Sequence, residues 1–133
     1  MKIYTASKLA NAEAVNVFNG LLKQAGFEVT YEWATHGYID NSDSELKRKV
    51  AQNEMEGVAK ADYLVVLHPG GFGTHIEIGV ALAMNIPIIM IGFDKTQPTP
   101  SFYYLDSITM FDGITESIDF LLAYKDRQCK LTS

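Results

Sequence analysis

Cysteine is almost missing from this 133-residue chain: Cys129 is the single one, so no disulfide can form within it, and nothing points to a thiol nucleophile. Basic clusters are missing as well. The net charge is −5, from 11 lysines and arginines against 16 acidic residues. Without basic patches a phosphate backbone has nothing to hold, so polymeric nucleic acid is excluded as an expected partner and small metabolites are favoured. No apolar run reaches the roughly 20 residues that span a bilayer. The opening MKIYTAS reads directly as strand, with no charged-then-apolar leader, and the expectation is a cytoplasmic protein away from membranes. The three histidines, His36, His68 and His75, have neither metal-ligand spacing nor partnering cysteines, so neither a metal nor another cofactor is expected. Repeats, low-complexity tracts and linkers are lacking too, and a chain of this length holds one core, which makes residues 1–133 a single domain.

What is present is an alternation of short apolar runs with longer amphipathic stretches. Lys2 to Ala6 reads as the first strand. Ala10, Ala14, Val17, Phe18, Leu21, Leu22 and Ala25 recur at helical spacing, with Gly26 placed for a left-handed C-cap. Phe27 to Tyr31 is the second strand. An N-cap within Asn41 to Asp43 opens a helix to about Ala61, whose inward stripe is Leu46, Val50, Ala51, Met55, Val58 and Ala61. Asp62 to Leu67 and Pro87 to Ile91 are the next strands, flanking a helix over 73–84, and the second of them is apolar on both faces, as a central strand should be. After a loop over 92–106 come a strand from Ser107 to Phe111 and a final helix capped by Asp112, with Ile114, Ile118, Leu121 and Leu122 inward. The fold expected is α/β, a doubly wound flavodoxin-like or Rossmann-like five-stranded parallel sheet in the order 2-1-3-4-5. In that order ligands bind at the carboxyl ends of strands one and three, here Ala6-Ser7 and His68 to Gly73.

The second of those ends carries the most informative run, His68-Pro69-Gly70-Gly71-Phe72-Gly73-Thr74-His75-Ile76-Glu77-Ile78-Gly79. Gly70, Gly71 and Gly73 let backbone N–H groups approach an anion or a sugar closely, and the helix start adds its partial positive charge. The same field is expected to keep Glu77 ionised in the helix's first turn. An ionised carboxylate beside a sugar-sized cleft suits a nucleophile for glycosidic chemistry. Thr74-x-x-Glu77 also has the form of a capping box, in which hydroxyl and carboxylate satisfy orphan N–H groups and do nothing else.

Other residues carry paired readings. Glu54 falls inside the apolar stripe of its helix, so it is either tied to a donor or aimed into the ligand cleft. Tyr4 in the first strand either packs with its hydroxyl satisfied at the edge or reaches the helix after strand three and donates to Glu77. Ser7 with Lys8 opens the first βα turn as a hydroxyl or phosphate contact or as a simple cap. His75 either contacts substrate or is solvated. Trp33 with His36 and Gly37 walls a nucleobase pocket or belongs to the core. The loop 92–106, with Phe102, Tyr103 and Tyr104, reads as a lid or a subunit contact, and the expectation is a homo-oligomer in which it completes a neighbour's site.

Three segments together resemble a known group: Lys2-Ile3-Tyr4-Thr5-Ala6-Ser7, Glu54-Met55-Glu56-Gly57-Val58-x-x-Ala61-Asp62, and Gly73-Thr74-His75-Ile76-Glu77-Ile78-Gly79-x-Ala81-Leu82-Ala83. The chain resembles the nucleoside 2-deoxyribosyltransferase family, which includes related nucleoside 5′-monophosphate N-glycosidases. The resemblance implies that Glu77 attacks the anomeric carbon and that the glycosyl group passes from it to another base or to water. It also implies that Tyr4 orients Glu77 and that Glu54 stands where the family has an acid, usually aspartate, holding sugar or base. An aspartate a few residues before the nucleophile in some transferases has no counterpart, since Gly71 and Phe72 occupy that stretch, so the group that protonates the leaving base is unassigned. Pro69-Gly70-Gly71-Phe72-Gly73-Thr74-x-x-Glu77 is also similar to the PGGxGTxxE motif of cytokinin-activating phosphoribohydrolases, which break the same type of bond. A third reading, from outside enzymology, is a nucleotide-sensing domain that uses the glycine turn for phosphate and keeps Glu77 as a cap.

Overall fold

The computed structural model describes residues 1–132. Five parallel strands, β1 (Lys2–Ala6), β2 (Glu28–Val29), β3 (Tyr63–Leu67), β4 (Ile88–Ile91) and β5 (Ile108–Phe111), form one sheet in the order β2-β1-β3-β4-β5. The helices α1 (Ala12–Gln24), α2 (Ser44–Lys60), α3 (Phe72–Ala83) and α4 (Ile114–Thr132) cover it. The doubly wound order is the one expected from the βα alternation. β3 and β4, YLVVL and IIMI, are buried at every position because helices lie over both faces of the sheet there. β1 pairs with β2 on one side and β3 on the other, with Tyr4 opposite Leu64. Gly26 ends α1 with φ +89°, a left-handed conformation that a side chain there would resist. Asp43 opens α2 by accepting from the Leu46 N–H at 3.1 Å.

Several expectations fail in detail. β2 is only two residues long rather than the five from Phe27 to Tyr31. The inward arc of α1 is Val15, Phe18, Asn19 and Leu22, and Val17 and Leu21 face water. α2 buries only Gly57 and Val58, while Leu46, Ala51 and Met55 are exposed, because its first half runs along an open cleft instead of over the sheet. Ile114 at the start of α4 is likewise exposed, whereas Leu121 is fully enclosed. α3 begins at Phe72, one residue before the expected start. That places Glu77 in its second turn and removes the capping-box reading. The cap is Gly71, whose N–H donates to Thr74 Oγ1 at 3.0 Å. No helix among the described residues is long and apolar enough to cross a membrane.

Candidate active site

Tyr4 stands in the middle of β1 and is wholly buried, and its hydroxyl donates to Glu77 Oε2. The topology brings the two together. α3 follows β3, β3 pairs with β1, and side chains alternate along β1, so Tyr4 points to the face that α2 and α3 share. Gly57 of α2 makes room for the ring: a Cβ at that position would stand 3.0 Å from Tyr4 Cδ2, 3.1 Å from Tyr4 Cε2 and 3.0 Å from Tyr31 Cβ. The site therefore joins three elements through one buried phenol.

Above this pair opens a cleft of about 480 Å³. Ser7, Lys8, Gly71, Phe72, Gly73 and Thr74 form one side, at the carboxyl ends of β1 and β3 and the start of α3. Trp33, His36, Gly37, Tyr38 and Ile39 form another, with Lys47, Val50, Ala51 and Glu54 of α2 between. Trp33 is anchored by its indole N–H, which donates to the Thr5 carbonyl at 2.7 Å, so it is at once core and wall. A Cβ on Gly73 would meet nothing within 4 Å, which leaves the first turn of α3 open to a ligand.

Not every expected residue reaches the cleft. Gly70 packs on Thr74, where a Cβ would lie 2.7 Å from Cγ2, and it serves the turn rather than the cavity. His75 turns away: Nδ1 lies 2.7 Å from the Gly71 carbonyl and Nε2 2.7 Å from Tyr103 Oη, with the two rings stacked at 4° and 5.7 Å. A carbonyl only accepts, so Nδ1 carries a proton, and Nε2 shares a hydrogen bond with the Tyr103 hydroxyl. Through this contact, and through His68 against both Tyr103 and Phe93, the 92–106 segment is fixed onto its own chain, while Phe102 and Tyr104 remain 64% and 69% exposed. Ser7 lines the cleft, but its hydroxyl donates to the Leu67 carbonyl at 2.7 Å and accepts from Asn11 at 2.8 Å, so it ties the ends of β1 and β3 together. Lys47, Tyr38, Ile39 and Gly57 were not singled out from the sequence; for Gly57 the signal was a glycine in a helix interior.

The electrostatics correct one more expectation. Glu77 is not held ionised by the helix start; its pKa is pushed up to about 8, first by burial, with the Tyr4 hydrogen bond opposing and the Glu54 charge adding to the rise. Burial, and next the adjacent Glu77, hold the Tyr4 hydroxyl protonated well above the usual phenol range, so it remains a donor. Glu54, half-buried, is raised by burial and pulled back by the charge of His36. The described ion pairs, Lys23–Glu32 and Lys60–Glu56, do not include it, and its side chain lines the cleft. Among the described residues no group of three or more His, Cys, Asp or Glu is arranged to hold a metal ion.

Gly57→Ala tests this seating directly. The added methyl must displace the Tyr4 ring by a few tenths of an ångström and weaken its bond to Glu77. Since that bond lowers the Glu77 pKa, the variant should titrate Glu77 above the parent value, as followed by carbon-13 NMR of the side-chain carboxyl. An unchanged titration would show that the ring has slack.

Residues 3–115 match the family model described as nucleoside 2-deoxyribosyltransferase. Among solved structures, a 2-deoxyribosyltransferase from Bacillus psychrosaccharolyticus superposes with a TM-score of 0.66 at 17% identity, covering 89% of this chain and 90% of that one. The CMP N-glycosidase of Clostridium botulinum gives 0.62 at 16% identity, with 91% and 98% covered. A conserved protein from Enterococcus faecalis gives 0.63 at 19%, with 90% and 95% covered. No curated protein sequence matches this one.

Proposed function

The chain belongs to the nucleoside 2-deoxyribosyltransferase family, and from that premise we propose that it cleaves the N-glycosidic bond of a (2′-deoxy)nucleoside or a nucleoside 5′-monophosphate through a glycosyl-enzyme on Glu77. The observation that carries this reading is the buried Tyr4–Glu77 hydrogen bond beneath a cleft of about 480 Å³. A carboxylate enclosed to this degree is costly unless it is used, and here it has one donor holding one oxygen. The other oxygen faces the anomeric carbon. In the first half-reaction Glu77 attacks that carbon as the bond to the base breaks, and in the second a water or a free base takes the sugar from it. The oxocarbenium-like charge that develops in between is stabilised by the carboxylates of Glu77 and Glu54. Glu54 accepts from the sugar, and Trp33, Gly37 and Tyr38 flank the base.

A non-catalytic nucleotide sensor would have kept Glu77 as a helix cap. Glu77 caps nothing, since α3 starts five residues before it. Lys8 and Lys47, two cations in the cleft of an acidic protein, favour a 5′-phosphate lying near the first turn of α3. The test is incubation with a panel of deoxynucleosides and their 5′-monophosphates, with and without a free acceptor base, followed by chromatography. Release of base supports the reading, and formation of a new nucleoside in the presence of acceptor separates transfer from hydrolysis. No base released from any substrate overturns it. The exposed Phe102 and Tyr104 rings support self-association, and light scattering at micromolar concentration should give a mass above 14.8 kDa that Tyr104→Asp lowers.

A further inference from the structure

A double displacement retains configuration, so an incoming base must reach the anomeric carbon from the face that the leaving base has vacated. A single base fits that position at a time. While the bases change places the glycosyl-enzyme stands open to water, and an acceptor already held beside the cleft shortens that interval by its effective concentration.

The structure has room for such a base. A second cavity of about 370 Å³ adjoins the cleft, at the small end of the roughly 300 to 1,000 Å³ typical of ligand sites. His36, Tyr38, Ile39 and Val50 line both, so the 36–39 segment and one turn of α2 form the partition between them. Within that segment Gly37 turns with φ +68°, and a Cβ there would meet nothing within 4 Å, so the partition is not wedged in place at this point. Tyr31, Leu46, Lys49 and Asn53 wall the far side. The Tyr31 ring stands 6.0 Å from that of His36, and Tyr38 and Leu46 are 69% and 44% exposed, which leaves aromatic and apolar surface bare for a flat ring to cover. Asn53 is half-buried, and its carboxamide makes no hydrogen bond among the described residues. A carboxamide sets N–H donors beside a carbonyl acceptor, the pattern that pairs with the edge of a nucleobase. The charges select against a nucleotide here. Asp40 and Asp43 face the cavity with Lys49, and the Ser42 N–H and hydroxyl keep the Asp40 carboxyl below its ordinary range, so a phosphate meets more negative charge than positive.

We propose that this second cavity binds a free nucleobase and holds it as the waiting acceptor for the glycosyl-enzyme. The waiting role rests on the N-glycosidase reading above. The proton that the incoming base gives up on bonding to carbon balances the one that the leaving base takes, so the exchange needs no further reactant.

The test has two arms. In the first, parent and Asn53→Leu labelled with nitrogen-15 are titrated with adenine, cytosine and uracil. At least one base should shift the backbone amides of Leu46 and Lys49 and the side-chain amide of Asn53, and Asn53→Leu should weaken that binding about 10-fold. Gly73 and the Trp33 indole N–H, which report the cleft, should respond alike in both proteins. Shifts confined to Gly73 and Trp33, no shift with any base, or equal affinity in the variant overturns the proposal. In the second arm a nucleoside and a subsaturating acceptor base are supplied together. Asn53→Leu should lower the ratio of new nucleoside to free sugar about 10-fold while releasing the first base at the parent rate. An unchanged ratio, an equal loss of both activities, or a parent that forms no new nucleoside overturns the waiting role. The titration needs no turnover, so the two readings fail separately: a parent that releases no base from any substrate overturns the N-glycosidase reading and the waiting role with it, whereas spectra without shifts overturn the cavity assignment alone.

Discussion

Glu77→Ala is expected to abolish base release, lowering the rate by roughly 10³-fold or more, because no other carboxylate stands where it can take over the bond to carbon. Circular dichroism should show the same fold. Turnover within a factor of a few of the parent would refute the nucleophile assignment. The same residue should set the pH dependence. In the proposed mechanism the attacking form is the carboxylate and its pKa is about 8, so the acidic limb of the parent's kcat/KM profile should rise with pH through that value.

Stability should move the opposite way. The folded chain holds a proton on Glu77 up to about 8, whereas the ordinary value is 4.5. Between those two values the folded state binds the extra proton, so stability falls as pH rises through that window and stays lower above it. Glutamine has no proton to lose. Glu77→Gln should therefore match the parent in urea denaturation at pH 4 and exceed it at pH 9. A loss of about 1 kcal/mol at every pH, as expected for removing a helix cap, would contradict the structure.

Tyr4→Phe is expected to lower kcat by roughly 10- to 100-fold with little change in KM, since the hydroxyl bonds Glu77 and Tyr4 is not among the residues that line the cleft. The hydrogen bond lowers the Glu77 pKa, so its removal should also shift the rising limb of the pH profile to higher pH. An unaltered kcat would return Tyr4 to the role of a packed core residue. A change in KM alone would place the hydroxyl on the substrate instead.

How far the sequence carried depended on whether a residue's surroundings were local. β3 and β4 were legible because every position is apolar, which only a central strand covered on both faces tolerates. The meeting of Tyr4 with Glu77 followed from topology and alternation, two rules that need no side-chain detail. The stripe on α2 misled because periodicity reports that a face is apolar without saying what lies opposite. Leu46, Ala51 and Met55 border a cleft or water, and only Gly57 and Val58 reach the core. Thr74-x-x-Glu77 misled in the same way. Its spacing fits a cap, but Gly71 occupies the capping position, and only the backbone shows where α3 begins. The charge of Glu77 was misjudged because the helix-start field was weighed without the larger cost of enclosure, which no local pattern records.

Tyr4 belongs to a strand hydrogen-bonded on both sides and is fully enclosed. The Tyr4–Glu77 pair therefore lies in the part of the molecule that opens last. Frayed termini or a melted surface loop leave it intact, and the β1 amides exchange with solvent only when the entire sheet comes apart. Inactivation by heat or urea then coincides with cooperative unfolding instead of preceding it, and residual catalytic rate becomes a gauge of how many molecules remain native.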